Sequence, residues 1–118
     1  MSIEHIAMNC ITPLHGPRQA QLLAGLVADM EENGWQGRPL LVIERQSDYL
    51  AWTGSHRLAA AAKAGLESVP CYVLHESRLQ QHGFDAERGH ALDYERMEIL
   101  KKIGDEDALR IMWMENRP

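Results

Sequence analysis

Cysteine, phenylalanine and long apolar runs are all scarce in this chain. Two cysteines and one phenylalanine occur in 118 residues, and aromatic side chains make up 6%. Cys10 and Cys71 stand far apart with no CxxC spacing, which argues against a disulfide framework or a local zinc site. Two reduced thiols in a cytoplasmic protein are expected instead. The longest apolar runs, residues 39–43 and 58–62, fall far short of the ~20 residues that cross a bilayer. Residues 1–5 lack the cationic start and apolar stretch of a secretory signal, so none is expected. Basic residues are also in deficit: twelve against seventeen acidic ones, a net charge of −5. Residues 1–75 carry five basic and seven acidic groups and the remainder seven and ten, so neither part is a basic arm. Binding to nucleic acid through bulk charge is therefore not expected, because phosphate neutralisation needs clustered Lys and Arg.

What is present is the composition of one globular domain, 45% hydrophobic and 25% charged, with no internal repeat. Residues 3–8 alternate loosely and suggest a first strand. Residues 12–16 are dense in turn formers and suggest a loop, with Pro17 suited to a helix start. Leu22, Leu23, Leu26, Val27 and Met30 then form a helical stripe that Gly34 can end. Residues 39–43 read as a buried strand, 46–48 as a turn and 49–53 as its partner strand. A helix is expected over residues 56–64, closed by Gly65, and another strand over 69–74, where Pro70 suggests an edge position or an irregular entry. From Ser77 to Gly89 the chain is polar, with room for one helical turn. Residues 93–103 have helical spacing, Gly104 and Asp105 form a stop and a cap, and Ala108, Leu109, Met112 and Trp113 form a last stripe. These elements predict an α+β fold in one domain over residues 1–118, with a core at 3–75 and a helical appendage at 76–118.

The stretch with chemical promise is Gly54-Ser55-His56-Arg57. A strand runs into glycine and directly into a helix, whose first turn presents backbone N–H groups and the positive end of the dipole. Glycine admits an anion close to the backbone, Ser55 offers a cap or a hydroxyl, His56 adds a donor and Arg57 adds a fork suited to phosphate oxygens. An ordinary turn and cap with a solvated first turn accounts for the same four residues.

The neighbours extend the pattern. Gly54-Ser55-His56-Arg57 with Ala60 and the closing residues 64–70 resembles the ParB/sulfiredoxin-like superfamily, whose ParB N-terminal-like domain has this order of motifs. Gly34-Trp35-Gln36-Gly37-Arg38-Pro39-Leu40 is similar to that family's glycine-to-proline segment. Residues 12–18 are similar to its Asn-Pro-x-x-Pro-Arg loop, with Thr12 in place of Asn and one extra residue. The resemblance covers about residues 3–75 and implies a small mixed sheet with packed helices and a nucleotide site. It places Gly54, Ser55, His56 and Arg57 at the phosphates of ATP or CTP, Arg18 as a second cation, and Gly37 and Arg38 in the wall of the cleft, with Mg²⁺ brought by the nucleotide. Phosphotransfer, hydrolysis and a conformational switch all stay open. A ligand-free interaction module of the same fold and a ParB-like nuclease are the alternatives.

The departures narrow this list. Ser55 stands where sulfiredoxin has its cysteine, and a hydroxyl cannot supply the thiolate for sulfinic acid repair. ParB-type relatives have a glutamate and two arginines here, of which only the second arginine remains, and no helix-turn-helix module follows. Nucleic acid is thus not an expected partner; the stripes of the C-terminal helices are expected to be core faces, and to meet a homo-oligomer or protein partner only if those helices do not fold back on the core. The six histidines show no metal-ligand spacing, and His15 reads as a loop residue or a proton carrier. Glu4 and Glu44 are the carboxylates nearest the motif in strand order. Trp35 and Trp52 have the rings to stack on a base, although packing explains them as well.

Overall fold

The computed structural model describes residues 3–13, 20–83 and 93–115, without the side chains of residues 20–22, 55, 93–95 and 114–115. The elements are β1 (Ile3–Ala7), a 3₁₀ turn (Met8–Cys10), β2 (Ile11–Pro13), α1 (Ala20–Asn33), β3 (Leu40–Glu44), β4 (Tyr49–Ala51), α2 (Ser55–Lys63), β5 (Ser68–His75), α3 (Glu76–Gln80), α4 (Asp93–Ile103) and α5 (Glu106–Glu115). The five strands form one mixed sheet in the order β1-β5-β3-β4-β2. This is the α+β fold that the sequence predicts.

Leu40, Leu41, Val42 and Ile43 of β3 are wholly buried. An unbroken apolar run is what a strand covered on both faces requires, since its side chains alternate between two cores. Leu40 and Val42 join Leu23 and Met30 of α1 and Leu58, Ala60 and Ala61 of α2 on one face. Leu41 and Ile43 join Leu50, Trp52 and Leu74 against Leu79 of α3, Ile99 and Leu100 of α4, and Ala108, Ile111 and Met112 of α5 on the other. The C-terminal helices therefore fold back on the sheet and cover the face opposite α1 and α2.

Helix boundaries follow local chemistry. Gly34, Gly65 and Gly104 take φ of 72°, 81° and 77° after α1, α2 and α4. At the end of α2 the Gly65 and Leu66 amides donate to the Ala62 and Ala61 carbonyls, the paired bonds of a Schellman turn. Asp105 caps α5 by accepting the Ala108 amide at 2.9 Å.

Two expectations need correction, and a third is narrowed to one of its alternatives. Thr12 and Pro13 lie in a strand, not a loop: Ile11–Pro13 pairs in parallel with Tyr49–Ala51 at the sheet edge, where proline's missing donor costs no ladder bond. The Thr12 hydroxyl donates to Asp48 across this pairing. Pro70 lies in an inner strand, since β5 is flanked by β1 and β3. Its ladder with β3 begins only at Cys71, so the proline stands before that pairing starts. Trp113 is 55% exposed, and Ile111 takes the core position that the stripe assigned to it. Residues 14–18 with Pro17, the Leu22 and Tyr94 side chains and residues 84–92 lie outside the described residues. Among the described residues no helix is long and apolar enough to cross a membrane.

Candidate functional site

Strand β4 delivers the chain to the start of α2. After Ala51 the Trp52 amide donates to the Leu41 carbonyl at 2.8 Å, and the Thr53 hydroxyl accepts the Leu41 amide at 2.9 Å. A side chain thus prolongs the β3–β4 ladder past the end of β4 and fixes where the chain leaves the sheet. Gly54 then turns the backbone with φ 71° and ψ 38°, left-handed values that favour glycine. The first α2 bond runs from the Leu58 amide to the Gly54 carbonyl at 2.8 Å. The amides of Ser55, His56 and Arg57 precede that bond and lie at the positive end of the helix dipole.

Beside this end lies the 34–39 loop, which leaves α1 through Gly34. Gly37 is a second left-handed glycine, with φ 85°. The Trp35 indole N–H donates to the Arg38 carbonyl at 3.1 Å, and the Gln36 amide side chain donates back to the Asn33 carbonyl at 2.8 Å. Arg57 is only 9% exposed. Its Nη2 donates to the Arg38 carbonyl at 2.5 Å and the Gln36 carbonyl at 3.1 Å. Its Cζ lies 4.2 Å from the centroid of the Trp35 ring, a cation–π distance. Gly37 and Arg38 are therefore brought to the α2 start, with Arg57 as the link. Gly54, His56 and the Ser55 backbone lie at the same end. The Ser55 side chain, Arg18 and His15 lie outside the described residues.

Sheet topology separates the two carboxylates. Glu44 pairs with Tyr49 at the end of the β3–β4 ladder remote from Trp52 and Thr53, so it stands at the opposite end of the sheet from Gly54. There it meets His75 Nδ1 at 3.0 Å in an exposed pair. Glu4 shares a row with Cys71 and Leu40, on the edge strand two strands from β3. Its nearest consequence is electrostatic: burial first, and then the Glu4 charge, push the Cys71 thiol up to about 12. That keeps the thiol protonated and unreactive at neutral pH. Trp52 is a core residue at 1% exposed, and one face of Trp35 is occupied by Arg57, so both rings pack. Among the described residues no three His, Cys, Asp or Glu side chains converge as a metal site.

A polar centre that the sequence does not advertise lies under the C-terminal helices. Asp105 accepts the Tyr72 hydroxyl at 2.8 Å and Arg78 Nη1 at 2.8 Å while capping α5. Burial pushes its carboxyl up. The bonds from Ala108, Tyr72 and Arg78 outweigh that and hold it below the usual value. Burial and the Asp105 carboxylate push Tyr72 up to about 12. The cap was legible at Gly104-Asp105; its partners on β5 and α3 are 33 and 27 residues away and were not.

This sheet, its left-handed glycines and its loop–helix junction agree with a family match. Residues 1–84 match the ParB N-terminal domain family. The chain belongs to that family. No curated protein sequence matches the chain. Among solved structures, sulfiredoxin from Arabidopsis thaliana superposes with a TM-score of 0.56 at 22% identity, covering 71% of this chain and 99% of sulfiredoxin. ParB from Caulobacter crescentus, C-terminally truncated and complexed with CTP-γ-S, gives 0.57 at 16% identity over 99% of this chain and 73% of that one. The same protein complexed to the centromeric parS site gives 0.54 at 16% identity over 95% and 64%. A free serine kinase in complex with AMP gives 0.53 at 23% identity over 61% of this chain and 30% of the kinase. At these identities the likenesses establish the shared fold of the ParB N-terminal domain family. The ParB alignments run into the C-terminal helices as well as the sheet.

Proposed function

We propose that this ParB N-terminal domain protein binds a nucleoside di- or triphosphate with its phosphates on the first turn of α2. The observation that carries the reading is the junction at Gly54. A left-handed glycine opens α2 directly from the sheet, beside a loop whose own left-handed glycine, Gly37, is held there by Arg57. Backbone amides at a helix start favour phosphate oxygens, and a glycine on the approach admits them closely. His56 and Ser55 belong to the same turn, and Arg18, which precedes α1 in the sequence, would be a second cation. The complexes of ParB with CTP-γ-S and of a serine kinase with AMP support a nucleotide as the ligand. Mg²⁺ would arrive with the phosphates and screen their charge. The net charge of −5 favours a small anion seated on amides over DNA held by bulk charge. Two free thiols, one of them buried, suit a reducing cytoplasm.

Thermal melting with ATP, ADP, CTP and GTP, each at millimolar concentration with Mg²⁺, tests the reading. One nucleotide should raise the midpoint by several degrees, because a ligand at about a hundred times its Kd adds about 2.7 kcal/mol to stability. His56→Glu should abolish the rise, since an acidic side chain on the first turn of α2 repels phosphate. A second reading draws on Arg57. A guanidinium whose Nη2 is held by two protein carbonyls also fits a motif kept as a fold staple in a ligand-free interaction module. No shift with any of the four nucleotides decides for that module.

A further inference from the structure

The structure assigns Arg57 a role apart from that of a phosphate cation. It occupies the first turn of α2, where the helix dipole disfavours a positive charge, and it is nearly buried, where an uncompensated charge is costly. A guanidinium persists in such a place when fixed acceptors surround it. Two backbone carbonyls, of Gln36 and Arg38, accept from one of its nitrogens, and the Trp35 face lies under its carbon. The Arg38 carbonyl also accepts the Trp35 indole N–H, so one carbonyl ties loop, ring and guanidinium together. We propose that Arg57 is a positioning residue: it clamps the 34–39 loop onto the α2 start and acts on a bound anion through that loop, not by its own charge. The part concerning the anion rests on the nucleotide reading above; the clamp itself does not.

The test uses the full chain with Arg57→Lys, which keeps the charge but lacks the planar fork, and Arg57→Met, which keeps volume without charge. The first readout needs no ligand: hydrogen exchange of the Trp35 indole N–H. Both variants should speed it about tenfold or more, the effect of losing a charge-assisted bond. The second readout is the Kd for MgATP and MgCTP at several salt concentrations. Arg57→Lys should weaken binding by about tenfold with the wild-type slope against salt, since no phosphate contact is lost. Wild-type indole exchange in Arg57→Lys, or wild-type affinity in it, overturns the proposal. Should Arg57→Lys fail to fold by circular dichroism, unchanged indole exchange in Arg57→Met overturns it instead. If the wild-type chain binds neither nucleotide, the functional reading fails while the exchange result still decides the clamp.

Discussion

Asp105 shows how much one side chain can organise. Replacing it with Ala removes a helix cap and an ion pair and leaves the Tyr72 hydroxyl without its acceptor, so a loss of about 2–4 kcal/mol is expected in urea unfolding. The pH dependence has a definite sign. The Asp105 carboxyl is held below its ordinary 3.8 in the folded chain. Its contribution is complete above that value and is lost as pH falls through the folded one. Unfolding free energies measured from pH 7 to pH 3 should therefore fall less steeply for Asp105→Asn than for wild type below about pH 4. Equal slopes would contradict this assignment. Asp48 behaves in the same sense, because the bond from Arg45 lowers its carboxyl against burial, so only the wild-type-minus-variant difference isolates Asp105. The sequence marked Asp105 as a cap because capping is local. It was silent on Tyr72 and Arg78, and silent on Arg57 meeting carbonyls 19 and 21 residues away, because those meetings depend on tertiary structure.

At the scale of elements, the readable parts were those whose cause is local. Strand β3 announced itself by an apolar run, and α4 and α5 by the Gly104-Asp105 boundary. Strand β2 did not, because Thr12 and Pro13 are turn formers by propensity and become a strand only by pairing with β4. Pro70 left an edge position and an irregular entry both open for a related reason: where β5 sits in the sheet is a matter of topology, not of local preference. Gly54 belongs to this scale too. Gly54→Ala forces an L side chain to φ 71° and should cost about 1–2 kcal/mol in unfolding free energy. The covering helices are equally testable. Leu100 of α4 is wholly buried in the core that α3, α4 and α5 form with the sheet, so Leu100→Ala should cost about 2–5 kcal/mol. A chain ending at residue 83 uncovers Leu41, Ile43, Trp52 and Leu74 and should bind a hydrophobic dye and lose its cooperative melt. A sharp melt without dye binding would mean that the second face of the sheet is stable without α4 and α5.

For the molecule as a whole, topology decides which residues can act together. The antiparallel β3–β4 pairing sends Gly54 to one end of the sheet and leaves Glu44 and His75 at the other. Closeness in strand order therefore does not bring Glu44 to the motif, whose neighbour is the 34–39 loop. The central claim is that the α2 start seats phosphates, and a ¹⁵N–¹H titration of the full chain with MgCTP and MgATP tests it most directly. The account predicts that the amides of Ser55, His56 and Gly37 move first and saturate together with one of the nucleotides. Saturating shifts confined to the Glu44–His75 end, or none at millimolar nucleotide, would contradict it.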